Sequence, residues 1–536
     1  MPLSVRQPAR HAPSGVLMIS MLVAFSLSEL PSAYPDDVPQ SPAPLPRPAK
    51  LEDRVESLSE SHRKLEALFQ RVLQENESLS QRLNAMQSQD QRLPRPDDPR
   101  TDSPVPGGLR STEFDDQPPD IRTDEPAPRS SDTGTKSAFF EGFKWQTEDG
   151  EYSLNFHSEM QADTRLYGLP TEPADQLGFN IHRMRFIFNG HLSKPIEYNV
   201  SIAQGLGDLS LLDAYLNFNY DERFQFRFGR YRSPFGYDSY ALSNQFLLTP
   251  ERSVFAINYG YNRNMQAMLH GDLFDDRVDY AIAIANGPRN SIYDQNGDKD
   301  LLTYVNVRPF MECDWAPALR HLNLGASTAN GRQNQSPLPR YFRTSTNATN
   351  GEAAETLIPS FLVLNPGVSE HGLRSLWEVH AAWYYRQLSL ISVYDWGFND
   401  YDDPTHTSIV RLPTSGYHVQ FGYFLTGEEV ERRTFVSPLR PFDLRAGRRG
   451  PGAVEIQARF DHFSVGSQVF TGGLADSTQW TNSVETVDTG VNWYLNKYVK
   501  IAFDWQHAMY ASPVVYRPGR SSRSMDLFWT RLQLYF

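Results

Sequence analysis

Pairs of arginines spaced two or four residues apart are the part of this sequence with the clearest chemistry. Arg183 and Arg185 alternate with apolar residues in IHRMRFIFNG, and Arg223 and Arg227 do so in RFQFRFG. In a β-strand, residues with this spacing lie on one face. Each guanidinium group donates a planar fork of hydrogen bonds that fits the oxygens of a phosphate. The spacing therefore predicts rows of arginines that bind or conduct anions.

Acidic side chains on similar faces favour a second interpretation. Asp213, Glu455, Asp461 and Asp504 alternate with apolar neighbours in their own segments, as the arginines do. A pore that places basic and acidic groups on its walls passes small polar solutes without a strong preference for anions. The residues alone leave both interpretations open, an anion path and a general pore.

The segments that carry these residues share a two-residue periodicity. It runs through DAYLNFNY, AVEIQARFDHF and VKIAFDWQHAMY, and the chain closes on DLFWTRLQLYF. Segments of about 10 residues with this alternation are typical of transmembrane β-barrels. The sequence thus predicts an all-β fold, a transmembrane antiparallel β-barrel over residues 136–536 with about 16 strands. We expect the last strand to pair with the first and so remove the sheet edge.

Composition excludes several other classes of protein. The mean hydropathy of -0.52 argues against a bundle of transmembrane helices, and the single cysteine, Cys313, excludes an intramolecular disulfide and a Cys-rich zinc site. The net charge of -13 gives no basic excess for nucleic acid. The patterns Gly-x-Ser-x-Gly, His-Glu-x-x-His and the P-loop are absent. We therefore expect no enzyme activity, no cofactor and no metal site.

The first 135 residues have a different texture from the rest. Residues 1–33 resemble an export signal, because two arginines precede a short uncharged apolar run. A Pro-rich linker follows at 34–50, and residues 51–86 hold an unbroken heptad pattern that predicts an α-helical coiled coil. Asn76 at an a position is expected to fix its register. Residues 87–135 form a second linker, rich in Pro and Asp and poor in apolar residues.

Four stretches, taken in order, resemble the phosphate-selective porin O/P family of outer-membrane channels. They are RFGRYRSPFGYD (227–238), YHVQFGYFLTGEE (417–429), GAVEIQARFDHFSV (452–465) and VDTGVNWYLNKYVKIAFDWQHAMY (487–510). The resemblance covers roughly residues 140–536 and leaves out the coiled coil and both linkers. It implies a homotrimer of 16-stranded barrels in the outer membrane. It also implies a loop folded into the pore and an arginine-lined path, with Arg230, Arg232 and Arg252 flanking that loop.

Two functions follow as expectations. The first is a passive outer-membrane channel for inorganic anions, with phosphate as one candidate, or for small polar solutes. The alternative is a structural envelope protein in which the coiled coil tethers the outer membrane to the cell wall. The expected partners are these solutes, outer-membrane lipid, further copies of the chain and the cell wall. Nucleic acid is not expected as a partner.

Two segments lack the regular alternation of the predicted strands. Residues 327–370 lack alternation and predict a long external loop. Residues 432–452 carry six arginines among Pro and Gly. These arginines either bind phosphate groups of lipopolysaccharide, attract anions toward the pore, or belong to a simple solvated loop.

Overall fold

A computed structural model describes residues 135–139, 141–168, 178–205, 209–294, 296–345 and 358–536. The predicted signal peptide (1–33), the linker 34–50, the coiled coil 51–86 with Asn76, and all of the second linker except Thr135 lie outside the described residues. Within the described ranges, no helix is both long and apolar enough to cross a membrane.

Twenty strands account for most of the described chain. In chain order they are β1 (Thr135–Phe139), β2 (Phe143–Thr147), β3 (Ser153–Gly168), β4 (Phe179–Ser193), β5 (Ile196–Gly205), β6 (Ser210–Phe218), β7 (Gln225–Arg232), β8 (Arg263–Leu273), β9 (Val278–Ala285), β10 (Asp300–Val307), β11 (His321–Gln335), β12 (Tyr341–Phe342), β13 (Leu362–Val363), β14 (Ser369–Tyr385), β15 (Leu388–Asp402), β16 (Ile409–Phe424), β17 (Ala453–Val465), β18 (Ser483–Tyr494), β19 (Val499–Arg517) and β20 (Arg520–Tyr535).

Sixteen of these strands form a closed antiparallel barrel, which confirms the predicted fold class. Strands β3 to β11 and β14 to β20 each pair with their neighbours along the chain, across the loop between β11 and β14. The last strand then pairs with the first, with Leu532 opposite Ala162. Closure satisfies the backbone groups that a sheet edge would expose to lipid. The small sheet of β12 and β13 and the hairpin of β1 and β2 lie outside this ring of sixteen strands.

Alternation along each strand separates a lipid-facing surface from the lumen. On β7, Phe226 and Phe228 are exposed outward, and on β20, Phe528 and Leu532 are exposed whereas Arg531 is buried inside. Apolar side chains outside and polar ones inside match the two environments of a barrel in a bilayer. The two-residue periodicity therefore separates lipid-facing from lumen-facing side chains, as the sequence predicted.

The two ends of the barrel differ in their connections. One end, the turn end, holds both the start of β3 and the end of β20, together with tight turns such as 194–195 and 386–387. The opposite end, the loop end, holds the segments 233–262 and 336–368. In bacterial barrels the short turns face the periplasm and the longer loops face outside. The turn end is therefore the periplasmic end.

The predicted external loop 327–370 begins later than expected. Strand β11 continues to Gln335, where its residues pair with β14, and the loop spans 336–368. The residues before Gln335 are polar, so the sequence pattern did not reveal this part of β11. Backbone pairing, rather than side-chain hydropathy, extends the barrel there. This segment folds back into the mouth of the barrel, where Phe342 and Phe361 pack against Phe463 of β17.

The segment 233–262 between β7 and β8, here named the inward loop, fills much of the lumen. It contains a π-turn (Tyr237–Ala241), a 3-10 turn (Asn244–Phe246) and helix α1 (Val254–Tyr259). The hydroxyl of Ser253 caps α1 by accepting from the backbone N–H of Ala256 at 3.3 Å. A 3-10 turn (Pro317–Leu319) and helix α2 (Gln468–Thr471) lie in other connections. The loop folded into the pore that the resemblance implies is therefore present.

The C-terminal residue Phe536 is fixed by contacts to the first barrel strand. Its backbone N–H and C=O exchange hydrogen bonds with Ser158 at 3.1 and 3.0 Å. Its ring lies about 6 Å from those of Phe139, Phe143 and Phe156. Phe536 thus seals the junction between β20 and β3.

Deletion of Phe536 is expected to reduce the amount of assembled barrel in the outer membrane. The deletion removes two backbone hydrogen bonds, each contributing about 1 kcal/mol, and the ring contacts that hold the hairpin of β1 and β2. Heat-modifiable migration in SDS gels of membrane fractions measures the folded fraction. Phe224→Ala, an exposed residue in a turn, is the control and should assemble normally. Equal folded fractions for both variants would contradict the sealing role.

Candidate anion site at the inward loop

A cavity of about 180 Å³ lies between the inward loop and the barrel wall, and its lining is strongly basic. Eight arginines contribute to it, whereas Glu251 is the one carboxylate among its lining residues in the described part of the chain. The arginines are Arg183, Arg185, Arg232, Arg252, Arg263, Arg289, Arg340 and Arg343. A low-dielectric cleft lined by one sign of charge concentrates ions of the opposite sign.

Three strands, the inward loop and two connections at the loop end bring these arginines together. Strand β4 places Arg183 and Arg185 on its inner face, because they are two residues apart. The end of β7 supplies Arg232 and the start of β8 supplies Arg263, so that both flank the inward loop. The loop itself supplies Arg252. The remaining three come from the connections at the loop end.

Carboxylates orient three of the wall arginines. Arg183 contacts Glu251 at 2.7 Å, Arg185 contacts Glu159 at 3.0 Å, and Arg263 pairs with Asp213 at 2.9 Å. Such charge-assisted hydrogen bonds fix the plane of each guanidinium group.

Arg232 and Arg252 differ from these three because backbone carbonyl groups are prominent among their acceptors. Both donate to the carbonyl oxygen of Leu242, at 2.8 and 2.9 Å. Within the described residues, Arg232 has no carboxylate within salt-bridge distance, and Arg252 lies 3.6 Å from Asp238. A carbonyl oxygen holds the side chain without cancelling its charge. Carboxylates therefore compensate the charge of these two arginines less closely than that of Arg183, Arg185 and Arg263.

The carboxylate of Glu251 does not make the charge of the cavity negative. Its carboxylate is surrounded by His182 at 2.8 Å, Arg183 at 2.7 Å and Arg531 at 3.2 Å. Burial alone raises the pKa of Glu251, but Arg183 and the hydrogen bond from His182 hold that pKa well below its usual range. Glu251 is thus an internal counter-ion of the inward loop.

The predicted arginines divide into two groups. Arg183, Arg185, Arg232 and Arg252 line the cavity together, whereas Arg223, Arg227 and Arg230 do not belong to its lining. Arg230 is buried and donates to the backbone carbonyls of Leu212 and Asn290, both at 3.0 Å. It therefore supports the wall behind the cavity.

Arg223 and Arg227 lie toward the turn end. Arg223 precedes β7 in a turn, its side chain is 73% exposed, and it pairs with Asp221 at 2.7 Å. The sequence placed Arg223 on the same strand face as Arg227, but the Asp221 carboxylate accepts the backbone N–H of Arg223 and closes a turn there instead. Arg227 lies over the rings of Tyr215 and Tyr231, at 4.6 and 5.5 Å.

Four arginines of the cavity were missed from the sequence. Arg263 directly follows the inward loop in NYGYNRNMQ, and its position at a strand start was the available signal. Arg289, Arg340 and Arg343 lie in segments without alternation. Arg289 reaches the cavity from the connection between β9 and β10, and Arg340 and Arg343 reach it from the loop 336–368. No local sequence pattern shows where these connections fold.

The acidic lumen residues noted in the sequence are engaged elsewhere. Asp213 pairs with Arg263, and Glu455 is buried against Arg433 at 2.6 Å. The carboxylate of Asp461 accepts the backbone N–H of Val254 at 2.7 Å, and Asp504 accepts from a neighbouring amide. These groups hold the inward loop and its surroundings, and none of them lines the cavity.

Basic and amide side chains of the far wall fix the inward loop through its carbonyl groups. Arg459 donates to the carbonyl of Glu251 at 2.8 Å, and Asn492 donates to that of Leu248 at 2.8 Å. Arg531 donates to the carbonyl of Pro250 at 2.5 Å. The loop is therefore anchored to three strands, and the cavity it forms is preorganised.

Comparison with known proteins agrees with this architecture. The model of the family "Phosphate-selective porin O and P" matches residues 154–536, which is more than half of the chain. Porin O of Pseudomonas aeruginosa is 24% identical over 417 residues, covering 74% of this chain and 91% of that protein.

Solved structures of other porins show a looser similarity. OmpF of Salmonella typhi aligns with a TM-score of 0.44 at 13% identity, covering 75% of this chain and 100% of that one. An anion-selective porin from Comamonas acidovorans aligns with a TM-score of 0.43 at 10% identity, covering 72% and 100%. The assignment therefore rests on the family match and on the closed barrel. This chain belongs to the phosphate-selective porin O and P family and is an outer-membrane porin.

Proposed function

We propose that this porin is an anion-selective channel whose selectivity filter is the arginine-lined cavity at the inward loop. The observation that carries the proposal is the lining itself, eight arginines with a single, internally compensated glutamate. A positive potential at the narrow part of the lumen raises the local concentration of anions and repels cations. The general-pore alternative needs acidic side chains that are free to line the lumen, whereas Asp213, Glu455, Asp461 and Asp504 are engaged in ion pairs or hydrogen bonds.

Phosphate and related small oxyanions are the proposed preferred solutes. Arginine forks from the wall, the inward loop and the outer connections approach one space, so that a tetrahedral oxyanion can accept from several directions. The volume of about 180 Å³ is more than ten times the roughly 10–15 Å³ that one water molecule requires. The cavity therefore has room for an oxyanion with part of its hydration water.

We also propose that the porin works as a homotrimer, the assembly that the family resemblance implies. Native mass spectrometry of the detergent-solubilised protein tests this directly. A dominant monomer from fully folded protein would contradict it.

Single-channel recordings in planar bilayers test the proposed function. In a potassium chloride gradient, the reversal potential is expected to have the sign of an anion-selective pore. Addition of millimolar phosphate is expected to reduce the chloride current, because a divalent oxyanion resides longer among the arginines. Discrete conductance steps with no preference for anions would establish a general pore and overturn anion selectivity. Anion selectivity without phosphate block would keep the filter and discard the preference for oxyanions.

A further inference from the structure

The segment 425–452, which joins β16 to β17 at the turn end, has two parts with different surroundings. The first part enters the lumen. Arg433 is buried there in an ion pair with Glu455 at 2.6 Å, and the ring of Phe435 packs against Phe246 and Tyr535 at 5.3 and 5.1 Å. These contacts anchor the segment to the barrel, so its second part has a defined starting point.

The second part, residues 439–452, is here named the rim segment and lies against the outer surface of the barrel. Its Phe442 ring lies 5.0 Å from the ring of Trp493 on β18, and the indole N–H of Trp493 donates to the carbonyl of Pro451 at 2.7 Å. Asn492 and Tyr494 of the same strand are buried on the lumen side. Trp493 between them therefore faces outward, and the rim segment contacts the lipid-facing side of the barrel.

The position of Trp493 fixes the depth of the rim segment in the membrane. Tryptophan and tyrosine side chains concentrate at the level of the lipid headgroups, where an apolar ring meets a polar layer. Trp493 lies in the last turn-end residues of β18, next to its end at Tyr494. The rim segment is thus held at the headgroup level of the leaflet on the turn end.

The exposed side chains of the rim segment combine positive charge with aliphatic surface. Leu439 and Leu444 are 68% and 76% exposed. Arg440, Arg448 and Arg449 are exposed as well. In the part of the chain that the structure describes, these three guanidinium groups make no ion pair with a carboxylate.

The single acidic group of the rim segment does not neutralise these arginines. Asp443 is already paired with Arg445 at 2.5 Å. The side-chain and backbone hydrogen bonds from Arg445 lower the pKa of Asp443 to about 2. Arg445 therefore neutralises the negative charge of Asp443, and the rim segment keeps an excess of positive charge.

We propose that the rim segment binds the headgroups of anionic phospholipids in the periplasmic leaflet of the outer membrane. The arginine forks contact the lipid phosphate groups, and Leu439 and Leu444 enter the apolar layer below. Continuity with the outward-facing Trp493 favours a lipid over a soluble partner, because a soluble protein would have to displace lipid from the same surface. The turn end excludes lipopolysaccharide, which occupies the opposite leaflet.

This surface is separate from the anion path. No residue of the segment 425–452 lines the cavity at the inward loop. Lipid binding is therefore independent of channel selectivity, and the two proposals can fail separately.

Native mass spectrometry of the full chain with added phosphatidylglycerol tests the proposal. The variant R440Q/R448Q/R449Q is expected to lower the retention of phosphatidylglycerol by about threefold or more relative to the unmodified protein. Its retention of phosphatidylcholine is expected to stay unchanged. The control R520Q/R523Q alters two exposed arginines at the loop end and is expected to retain phosphatidylglycerol normally. Heat-modifiable migration and unchanged single-channel conductance verify that each variant is folded.

A second variant adds a repelling charge to the same surface. L444D is expected to lower phosphatidylglycerol retention as well, because it places a negative charge at the headgroup level. Equal retention by R440Q/R448Q/R449Q and the control overturns the proposal. Retention of phosphatidylcholine that falls in parallel with phosphatidylglycerol also overturns it, because the surface would then not recognise the anionic headgroup.

Discussion

Replacing Arg232 and Arg252 together with glutamine is expected to lower the anion-to-cation permeability ratio by about tenfold, the lower end of the effects produced by charged clefts. Arg232 directly precedes the inward loop and Arg252 lies within it, and both donate to the backbone carbonyl of Leu242. Arg232 has no carboxylate within salt-bridge distance among the described residues, and Arg252 lies 3.6 Å from Asp238. Glutamine keeps a hydrogen-bond donor toward the carbonyl of Leu242 but removes the charge. The change therefore acts on the potential of the cavity more than on its shape.

Reversal potentials in a potassium chloride gradient measure this effect, and they are expected to move toward zero. Arg223→Gln is the matched control, because the same substitution occurs in an exposed arginine of a turn that already pairs with Asp221. A phosphate titration gives a second readout, since the concentration for half-block should rise in the double variant only. Unchanged selectivity in the double variant would place the filter elsewhere in the lumen.

Replacing Arg531 with methionine is expected to destabilise the barrel by about 3–5 kcal/mol, the usual effect of removing one partner of a buried ion pair. Arg531 is 2% exposed and forms a two-pronged contact with Asp163 of β3, at 2.7 and 2.8 Å. It also donates to the carbonyl of Pro250 and contacts Glu251. The substitution leaves two buried carboxylates short of their counter-charge at the closing seam of the barrel.

Urea unfolding of the protein in lipid vesicles, followed by tryptophan fluorescence, measures the loss of folding free energy. Arg520→Met provides a control on the same strand, because this arginine is exposed at the loop end. Its unfolding midpoint should change little. A double variant that also carries Asp163→Asn should recover part of the lost stability, because it removes one of the unpaired charges. Equal midpoints for Arg531→Met and Arg520→Met would refute the anchoring role of Arg531.

The architecture of the barrel was largely predictable because it depends on local alternation. Each strand must present one face to lipid and the other to the lumen, so its sequence repeats every two residues whatever its neighbours are. DAYLNFNY and RLQLYF therefore revealed strands and their faces, and the final aromatic residue indicated a closing strand. The end of β11 at Gln335 was missed, because the last residues of this strand are polar and carry no alternating signal.

The candidate site was predictable only where strands supply it. Arg183 and Arg185 could be placed in the lumen from their spacing on β4, and Arg232 and Arg252 from their position beside the inward loop. Arg223 was misplaced because its hydrogen bonds to Asp221 form a turn, so that β7 starts two residues later, at Gln225. Arg340 and Arg343 gave no signal, since they reach the cavity through the folding of a long connection.

The sequence by itself determined the barrel, its closure and the face of the residues in the alternating segments, because these follow from the contrast between lipid and water along one strand. Tertiary structure alone decided which charges meet. Arginines and carboxylates both point into the lumen, and the alternation cannot tell one wall from another. Only the inward loop, held by Arg459, Asn492 and Arg531, separates a cavity lined by arginines from a wall whose carboxylates are engaged in ion pairs and backbone hydrogen bonds.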